Sequence, residues 1–517
     1  MHSYALGWSG NSPDRGLARL YVGMFFPALI LYALTAQRGV AWQDSGAFQW
    51  RVLHFELASD SGLALSHPLM IVLGRLFWAV GLGPPAWRMN LLSAVCAAVA
   101  AANVAVLVRR LCPARPAAAW LAGGFFALSH TVWWMATVLE SQALLAALLT
   151  TELHVLVSLC QRPRVRTAVL LGLVAGLTLT AHNMALLSLP VHVLVVLSLC
   201  LGGRLPWQAV WGGTLAWLVG SALYLGLVLQ AVTRWGWGEA IRSALFGGQP
   251  GTSGWQSSVW GGSWNMMRHA LGYVAYNFPN LALVLAPLGL IRCLRALPAR
   301  LGLALAALTA THLGFALTYR VADQFMFFTS SYALLAVLAA LALGGSPASS
   351  RPARRWVLAI AALTLAATPV LYAAAPTLVR RAGLMLPAHH EAPGRDPLRY
   401  WLVPWKNNEE SAERFARAAL RQAPPGSVII ADSSSLHPLR LVRALTAMGR
   451  GVEIVPVSQA TPQVVPPGAV RAYVVSDKPG RRPDWLTHMA TLPPRGEGQV
   501  LIDVIWHADR SATQPSN

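Results

Sequence analysis

The sequence predicts an α-helical polytopic membrane protein with about 11 transmembrane helices and a small α/β domain at its carboxyl end. Three observations support this fold class. Of the 517 residues, 55% are hydrophobic and only 12% are charged, whereas soluble domains carry about 25% charged residues. The apolar residues form runs long enough to cross a bilayer. The arginines alternate between the loops that join those runs. This composition excludes a water-soluble enzyme and a disordered chain.

Apolar runs of about 17–25 residues are read as spans. They are predicted at 18–36, 88–109, 117–131, 139–160, 167–181, 184–201, 208–231, 271–293, 301–318, 325–345 and 356–374. The apolar segment 67–82 is shorter and ends at Gly83-Pro84-Pro85. We interpret it as a helix that lies in the membrane interface or re-enters the membrane.

The arginine-rich loops lie two spans apart, as the positive-inside rule requires of cytoplasmic loops. The N-terminus is therefore predicted to be cytoplasmic. The protein itself is predicted to lie in the inner membrane of a bacterium. The outer loops are then 37–87, 132–138, around 182, 232–270 and 319–324, with everything after 375. The net charge of +20 is attributed to these loops facing anionic lipid, so no nucleic-acid partner is expected. The basic loops contain Arg109, Arg110 and Arg115; Arg162, Arg164 and Arg166; Arg204; Arg292, Arg295 and Arg300; and Arg351, Arg354 and Arg355.

Acidic residues become common towards the carboxyl end, where twelve of the twenty lie beyond residue 376. This change predicts a membrane domain over 1–375, a linker over 376–394 and an extracytoplasmic domain over 395–517. Short apolar strands are predicted at 428–431, 452–457 and 472–475, with helices at 409–422 and 436–448. That order is typical of an α/β domain. The last residues, 511–517, are expected to fray.

Six of the eight acids before residue 376 map to the outer face, and acids near a membrane boundary are costly and usually functional. Asp44 lies just after the first span, where a carboxylate can accept a proton from an acceptor nucleophile. The alternative is a helix-capping role for Asp44. His67 before Pro68 is either a phosphate-orienting or a capping residue. Glu140 follows a tryptophan pair that suits an interface belt better than a sugar platform, and it is a candidate metal ligand or a residue that supports one in the site. Asp323 is either a site residue or a helix cap.

The loop predicted at 232–270 contains five tryptophans, Trp235, Trp237, Trp255, Trp260 and Trp264, and three arginines, Arg234, Arg242 and Arg268. Such residues suit a sugar ring and a phosphate. They suit a loop lying on lipid headgroups equally well. The five cysteines lie in or beside apolar runs without metal-ligand spacing, which argues against a disulfide framework and a zinc site.

Several short motifs together resemble one known family. They are Asp44-Ser45-Gly46, His67-Pro68, Gly74-Arg75-Leu76-Phe77, Asn90-Leu91-Leu92-Ser93, Ser129 with Trp133-Trp134 and Glu140, Asp323-Gln324 with Phe327-Phe328, and Pro404-Trp405-Lys406. The set is similar to the protein O-mannosyltransferase-like membrane proteins of bacteria and animals, which have the GT-C glycosyltransferase architecture. The resemblance covers the membrane half fairly continuously and the tail loosely.

The resemblance implies an enzyme that transfers a sugar from a polyprenyl-phosphate carrier to a protein, lipid or glycan acceptor on the outer face, with inversion. It makes Asp44 the expected catalytic base. The expected substrate-binding residues are His67, Asn90, Glu140 and Asp323, with Arg88, Arg268 and Arg320 stabilising phosphate charge. The family usually continues Asp-Ser-Gly with Glu, where this chain has Ala47.

Two alternatives stay open beside the transferase. One is a transporter or flippase of lipid-linked sugars, although no internal repeat is visible of the kind that transporters often show. The other is a non-catalytic GT-C relative, which Ala47 favours and the retained Asp44 disfavours. With one strong carboxylate and no dense acidic cluster, no obligatory metal is expected. A Mg²⁺ ion bridging the donor phosphate remains an alternative.

Overall fold

The computed structural model describes residues 15–259, 261–344, 351–384, 392–461, 471–476, 478, 481–488, 491–492 and 500–504. Its helices are α1 (Arg15–Thr35), α2 (Gln43–His54), α3 (Pro68–Ala79), α4 (Pro85–Leu111), α5 (Pro116–Ala127), α6 (His130–Ala136), α7 (Ser141–Gln161), α8 (Val165–Ala181), α9 (Ala185–Leu201), α10 (Gln208–Phe246), α11 (Trp264–Asn277), α12 (Ala282–Ala296), α13 (Ala299–Thr318), α14 (Thr329–Leu343), α15 (Arg351–Arg381), α16 (Pro397–Leu402), α17 (Ser411–Gln422) and α18 (Leu436–Thr446). Its strands are β1 (Val428–Ala431), β2 (Glu453–Pro456), β3 (Ala472–Val474), β4 (Thr491–Leu492) and β5 (Ile502–Val504).

The predicted fold class, a multi-span helical membrane protein, is confirmed. In the described part of the chain, seven helices are long and apolar enough to cross a membrane, or eight if one bent pair counts as a span. The helices α5, α8 and α9 are apolar but shorter. The interfacial segment predicted at 67–82 contains α3. The count of about 11 spans stays a prediction.

The predicted span 271–293 is wrong as a single helix. The chain forms α11 and α12 there, and the two helices meet at an angle of 100°. Pro279 lies at the break and has no N–H to donate to a helix. The Asn280 side-chain oxygen accepts a hydrogen bond at 3.1 Å from the N–H of Ala282, the first residue of α12. Hydropathy reports the apolar composition of such a segment and not this change of direction.

The predicted outer loop 232–270 is also corrected. Helix α10 continues to Phe246, and α11 already begins at Trp264. The helix is broken at Gly236, whose φ of 77° and ψ of 167° are not helical. Glycine adopts a positive φ at little cost, so the chain changes direction there and resumes a helix. The tryptophans Trp235 and Trp237 therefore lie in helical segments and not in an extended loop.

The contacts of the chain group into two units. The first unit comprises Met1–Tyr32, Val95–Trp133 and Gln142–Leu371. Its helices α8 and α10 pack closely through glycines: a Cβ atom at Gly172 would lie 2.1 Å from the backbone oxygen of Gly213. Small residues of this kind let helix backbones approach each other in a membrane.

The second unit comprises Ala33–Ala94, Trp134–Ser141 and Tyr372–Asn517. It contains a five-stranded sheet in the order β2-β1-β3-β5-β4. β1 pairs in parallel with β2 and β3, and β5 pairs antiparallel with β3 and β4. The strands predicted at 428–431, 452–457 and 472–475 correspond to the three parallel strands. Alternate side chains of β1, Val428 and Ile430, pack with Val455, Val474 and Leu486 into an apolar cluster.

Candidate active site

The loop that carries Asp44, residues 41–46, is tightly folded. Gln43 has a φ of 55°, which is uncommon for a residue other than glycine. The Gly46 N–H donates to the Trp42 carbonyl at 3.3 Å. A Cβ atom at Gly46 would lie 2.3 Å from the carbonyl oxygen of Ala41. The glycine of the Asp-Ser-Gly motif is therefore required by this close approach of the backbone.

Asp44 lies in the first turn of α2. Its side chain is exposed by surface area, yet burial among protein atoms raises the pKa of its carboxyl group. The Asp44 carboxyl is therefore reachable from solvent, while the protein atoms around it disfavour its charged form. A carboxylate that is accessible and poorly solvated is a stronger base than an ordinary Asp.

Glu140 is held directly beside this loop. The Ser45 hydroxyl donates to Glu140 Oε1 at 2.5 Å. The Glu140 backbone N–H donates to Ser93 Oγ at 3.0 Å, and the Ser93 hydroxyl lies 3.3 Å from the Glu140 carbonyl oxygen. The side chain of Glu140 is buried. Because both its backbone and its carboxylate are fixed, Glu140 places a second carboxylate next to the Asp44 loop.

The motif residue Asn90 belongs to the same hydrogen-bond network. Its side-chain amide donates to the Gln37 carbonyl at 2.8 Å and accepts from Gln49 Nε2 at 3.1 Å. Gln49 Oε1 in turn accepts from the Ala41 N–H at 3.0 Å. Asn90 and Gln49 are fully buried, and a satisfied buried polar network fixes one arrangement of its members. Asn90 thus holds the start of the Asp44 loop through Gln49.

Residues from the carboxyl-terminal part of the chain also hold the loop. Trp42 Nε1 donates to Ser411 Oγ at 2.8 Å, and the Ser411 hydroxyl donates to the Glu409 carboxylate. The Gln43 N–H lies 3.4 Å from the Ser434 carbonyl oxygen. The Cβ of His437 lies 3.4 Å from the position a Cβ would take at Gly46. The turn that follows β1 and the start of α17 therefore form part of the support of Asp44.

An aromatic cluster with two buried cations lies in the same unit. The Arg395 guanidinium lies 4.1 Å from the Tyr400 ring centre and 5.4 Å from that of Trp401. Lys406 Nζ lies 4.6 Å from the Tyr400 ring centre and 5.1 Å from that of Trp134. Lys406 Nζ also donates to the Val403 carbonyl at 2.6 Å. Burial lowers the pKa of Lys406 well below its usual value.

The Tyr400 phenol interacts electrostatically with Glu140 and with Arg395. The acid that interacts directly with Arg395 is Glu409. The sequence analysis missed Arg395 and Tyr400 as site residues. Lys406 was noted within the Pro404-Trp405-Lys406 motif and is one of just two lysines in the chain, but it was not predicted as a site residue. That rarity, in an arginine-rich sequence, was the available signal.

Comparison with known proteins agrees with this architecture. A family model described as the protein O-mannosyl-transferase TMEM260 N-terminal domain matches residues 44–200. The match begins at Asp44 and includes His67, Asn90 and Glu140. The crystal structure of ArnT from Cupriavidus metallidurans in the apo state is similar with a TM-score of 0.61 at 15% identity, covering 95% of this chain and 98% of that chain. The chain has the GT-C fold.

The structure of the same ArnT bound to undecaprenyl phosphate is similar with a TM-score of 0.57 at 15% identity, over the same shares of the two chains. A search of curated proteins finds no match to the sequence. The resemblance inferred from the short motifs is confirmed, since both the family model and the GT-C structures agree with it.

Two further predicted site residues, His67 and Arg88, lie in the same unit as Asp44. His67 is buried, packs against Phe48 with ring centres 5.7 Å apart, and occupies the N-cap position of α3 with a φ of 44°. It makes no side-chain capping hydrogen bond there. The Arg88 guanidinium donates to the Trp78 carbonyl at 2.7 Å.

The remaining predicted residues belong to the first unit. Asp323 interacts electrostatically with the phenols of Tyr273 and Tyr319. Arg268 bonds the Asn265 side-chain oxygen at 2.5 Å, and the Arg320 backbone N–H donates to the Ser258 carbonyl at 2.7 Å. Both arginines are exposed. Their predicted role in binding phosphate stays a prediction. Within the described residues, no group of three His, Cys, Asp or Glu side chains is placed to hold a metal ion.

Proposed function

We propose that the protein is a membrane glycosyltransferase that transfers a sugar from a polyprenyl-phosphate carrier to an acceptor on the extracytoplasmic face. The observation that carries the proposal is the Asp44 carboxyl, which is reachable by solvent, has a raised pKa and lies beside a fixed second carboxylate. The GT-C fold and the family match that begins at Asp44 support it. The undecaprenyl phosphate bound by ArnT supports the class of carrier.

In the proposed reaction, Asp44 accepts the proton of the acceptor hydroxyl while the acceptor oxygen bonds to the anomeric carbon of the sugar. The bond between that carbon and the phosphate oxygen breaks, and the electron pair leaves with the polyprenyl phosphate. Attack opposite the leaving group inverts the anomeric centre. The phosphate is a good leaving group, so the protein mainly positions the acceptor and removes its proton. No step in this scheme requires a metal ion, although Mg²⁺ at the donor phosphate stays an alternative.

The negative charge that develops on the leaving phosphate needs a positive partner. We add Arg395 to the earlier candidates Arg88, Arg268 and Arg320, because its buried guanidinium shares Tyr400 with Glu140. Lys406 is assigned a structural role instead, since its ammonium donates to the backbone carbonyls of Tyr400 and Val403. His67, with its strained backbone, is assigned to positioning the start of α3.

In the proposed orientation, the protein lies in the inner membrane with its N-terminus in the cytoplasm. The sheet-containing unit then lies on the extracytoplasmic side. This orientation rests on the arginines, which concentrate in every second connection between the predicted spans. For example, Arg109 and Arg110 lie in the last turn of α4, and Arg164 precedes α8.

The test uses the full chain in lipid nanodiscs with a panel of radiolabelled polyprenyl-phosphate sugars, following transfer to added acceptors or to water. The variant is Asp44→Asn, and the matched control is Asp60→Asn, an exposed acid of the same outer segment. Turnover of one donor that is lost in Asp44→Asn and kept in Asp60→Asn is the expected result. Donor binding without turnover in all three proteins would favour the non-catalytic relative that Ala47 suggests. Movement of intact donor across the bilayer, measured with the same chain in closed vesicles, would instead identify a flippase.

A further inference from the structure

A cavity of about 230 Å³ lies among α8, α9 and α10 of the first unit, away from the residues discussed above. The cavity exists because several of its lining side chains are small. They are Ala168, Gly172 and Ala175 on α8, and Ala209 and Gly213 on α10. Val193, which also lines the cavity, is 46% exposed on the outer surface of the protein. The cavity therefore opens to the surface that faces lipid. Its volume is below the range of about 300–1,000 Å³ that is usual for small-molecule sites, which suits part of one lipid chain.

The cavity occupies one end of these three helices. Ala168 lies three residues after the start of α8, Leu197 lies four residues before the end of α9, and Ala209 is the second residue of α10. The lining runs from 168 to 175 on α8 and from 189 to 197 on α9, which at about 1.5 Å per residue is about 12 Å. Leu189 lines the inner end on α9, and His192 lies nearly one turn from it, with its ring 3.7 Å from the buried carboxylate of Glu152.

The mouth of the cavity is strongly basic. Segment 161–168, which leads into α8, and segment 198–210, which joins α9 to α10, contain no acidic residue. Their arginines are all exposed: Arg162, Arg164, Arg166 and Arg204. Arg204 and Arg300 both lie close enough to Cys160, at the end of α7, to interact with its thiol. Trp207 and Trp211 are 53% and 76% exposed, as is typical of tryptophans at the boundary between lipid and water.

We propose that this cavity and its arginine rim form a binding site for one anionic phospholipid of the adjacent leaflet. One acyl chain lies between α8, α9 and α10, and the phosphate lies at Arg166 and Arg204. An apolar cavity next to a cluster of arginines without acids favours an anionic lipid over a zwitterionic one, whose headgroup also brings a cation to the arginines. The site is separate from the proposed transfer reaction and does not depend on it.

The test counts lipids that remain on the full chain when it is released from nanodiscs into a native mass spectrometer. Nanodiscs of phosphatidylcholine with a minority of phosphatidylglycerol of the same acyl chains provide the two competing probes. We expect one retained phosphatidylglycerol. The variant Arg204→Gln should lower its retention about fivefold, the effect of one arginine near a charged lipid surface. The exposed arginine Arg355 of α15 provides the matched control, and Arg355→Gln should change nothing.

A second pair of variants tests the cavity itself. Thr214→Phe fills it from an exposed lining position, whereas Leu215→Phe, the next residue of α10, is 64% exposed and does not line it. Only Thr214→Phe should reduce retention. Equal retention of the two lipids, equal effects of the two arginine variants, or equal effects of the two phenylalanine variants would overturn the proposal. Displacement of phosphatidylglycerol by an equal amount of undecaprenyl phosphate would show that the occupant is wrong.

Discussion

The Ser45 hydroxyl donates a 2.5 Å hydrogen bond to the Glu140 carboxylate. Ser45 directly follows Asp44, so this bond connects the proposed base to a carboxylate that is 96 positions away in the sequence. Glu140 is fixed from its other side by Ser93. If Asp44 takes the acceptor proton, the distance between the two carboxylates is set by Ser45, and Glu140 acts as a positioning residue.

The first prediction concerns this bond. Glu140→Gln should lower kcat by about 10- to 100-fold, because it removes a charge-assisted hydrogen bond of about 1.5–3 kcal/mol. Ser45→Ala should have a smaller effect, and the double variant should cost less than the sum of the two, since each removes the same bond. Steady-state kinetics on the full chain measure the three values. Glu56→Gln, which changes an exposed acid between α2 and α3, is the control; strict additivity would contradict the coupling.

The second prediction concerns the stability cost of Asp44. Its folded-state pKa is raised by burial, so the folded protein disfavours the charged carboxylate relative to the unfolded chain. The contribution of the Asp44 carboxyl to the free energy of unfolding is therefore most favourable at low pH, and it is lost as the pH rises through the folded-state pKa. At neutral pH, Asp44→Asn should raise the melting temperature while it abolishes turnover. Tryptophan fluorescence during thermal unfolding in detergent checks this; a clear fall in Tm would show that Asp44 is a structural cap.

The third prediction concerns His437, which touches the Asp44 loop. Burial, with Arg440 and Arg51 nearby, lowers the pKa of His437 to about 4. The neutral ring is favoured in the folded state, so its contribution to stability is present above pH 6.5 and is lost as the pH falls towards 4. His437→Gln should flatten the decline of Tm across this window. Identical slopes for wild type and variant would mean that the ring is freely protonated in the folded state.

The fourth prediction concerns Arg51, which organises the segment between α2 and α3. Its guanidinium donates to the carbonyl groups of Glu56, Leu57, Leu65 and Ser66. Burial lowers its pKa to about 10, so it stays charged at neutral pH. Arg51→Met should destabilise the protein by about 2–4 kcal/mol and expose 56–66 to proteolysis. Arg75→Met, with its two backbone hydrogen bonds, should cost less; the reverse order would refute this role.

Much of the fold could be predicted from composition, because spans, basic loops and the three parallel strands each leave a local pattern. Gly46 could be recognised as part of a motif. The reason that a glycine is needed there, the close approach of the Ala41 carbonyl, could not be predicted. The break between α11 and α12 was not predicted. One proline inside an apolar run leaves the hydropathy high, while its missing N–H changes the direction of the chain.

The site was predictable only as separate pieces. Trp42 donates a hydrogen bond to Ser411, which is 369 positions away in the sequence. Local sequence patterns do not report contacts between residues so far apart. The sequence therefore treated the first outer loop and the carboxyl-terminal domain as separate, whereas their residues cluster in one unit. Arg395 was missed for the same reason, since nothing in the sequence distinguishes it from the other arginines until the fold places it over the rings of Tyr400 and Trp401.

The pH dependence of sugar transfer by wild type and Asp44→Glu tests the central claim most directly. If Asp44 is the base, wild-type kcat should fall as the pH drops through a pKa that lies above the usual Asp value, because burial raises the pKa of this carboxyl. Asp44→Glu should retain part of the activity with a shifted profile, and Asp44→Asn should lose about 10²–10⁴-fold. An Asp44→Asn variant that turns over donor at the wild-type rate, with the same pH profile, would contradict the account.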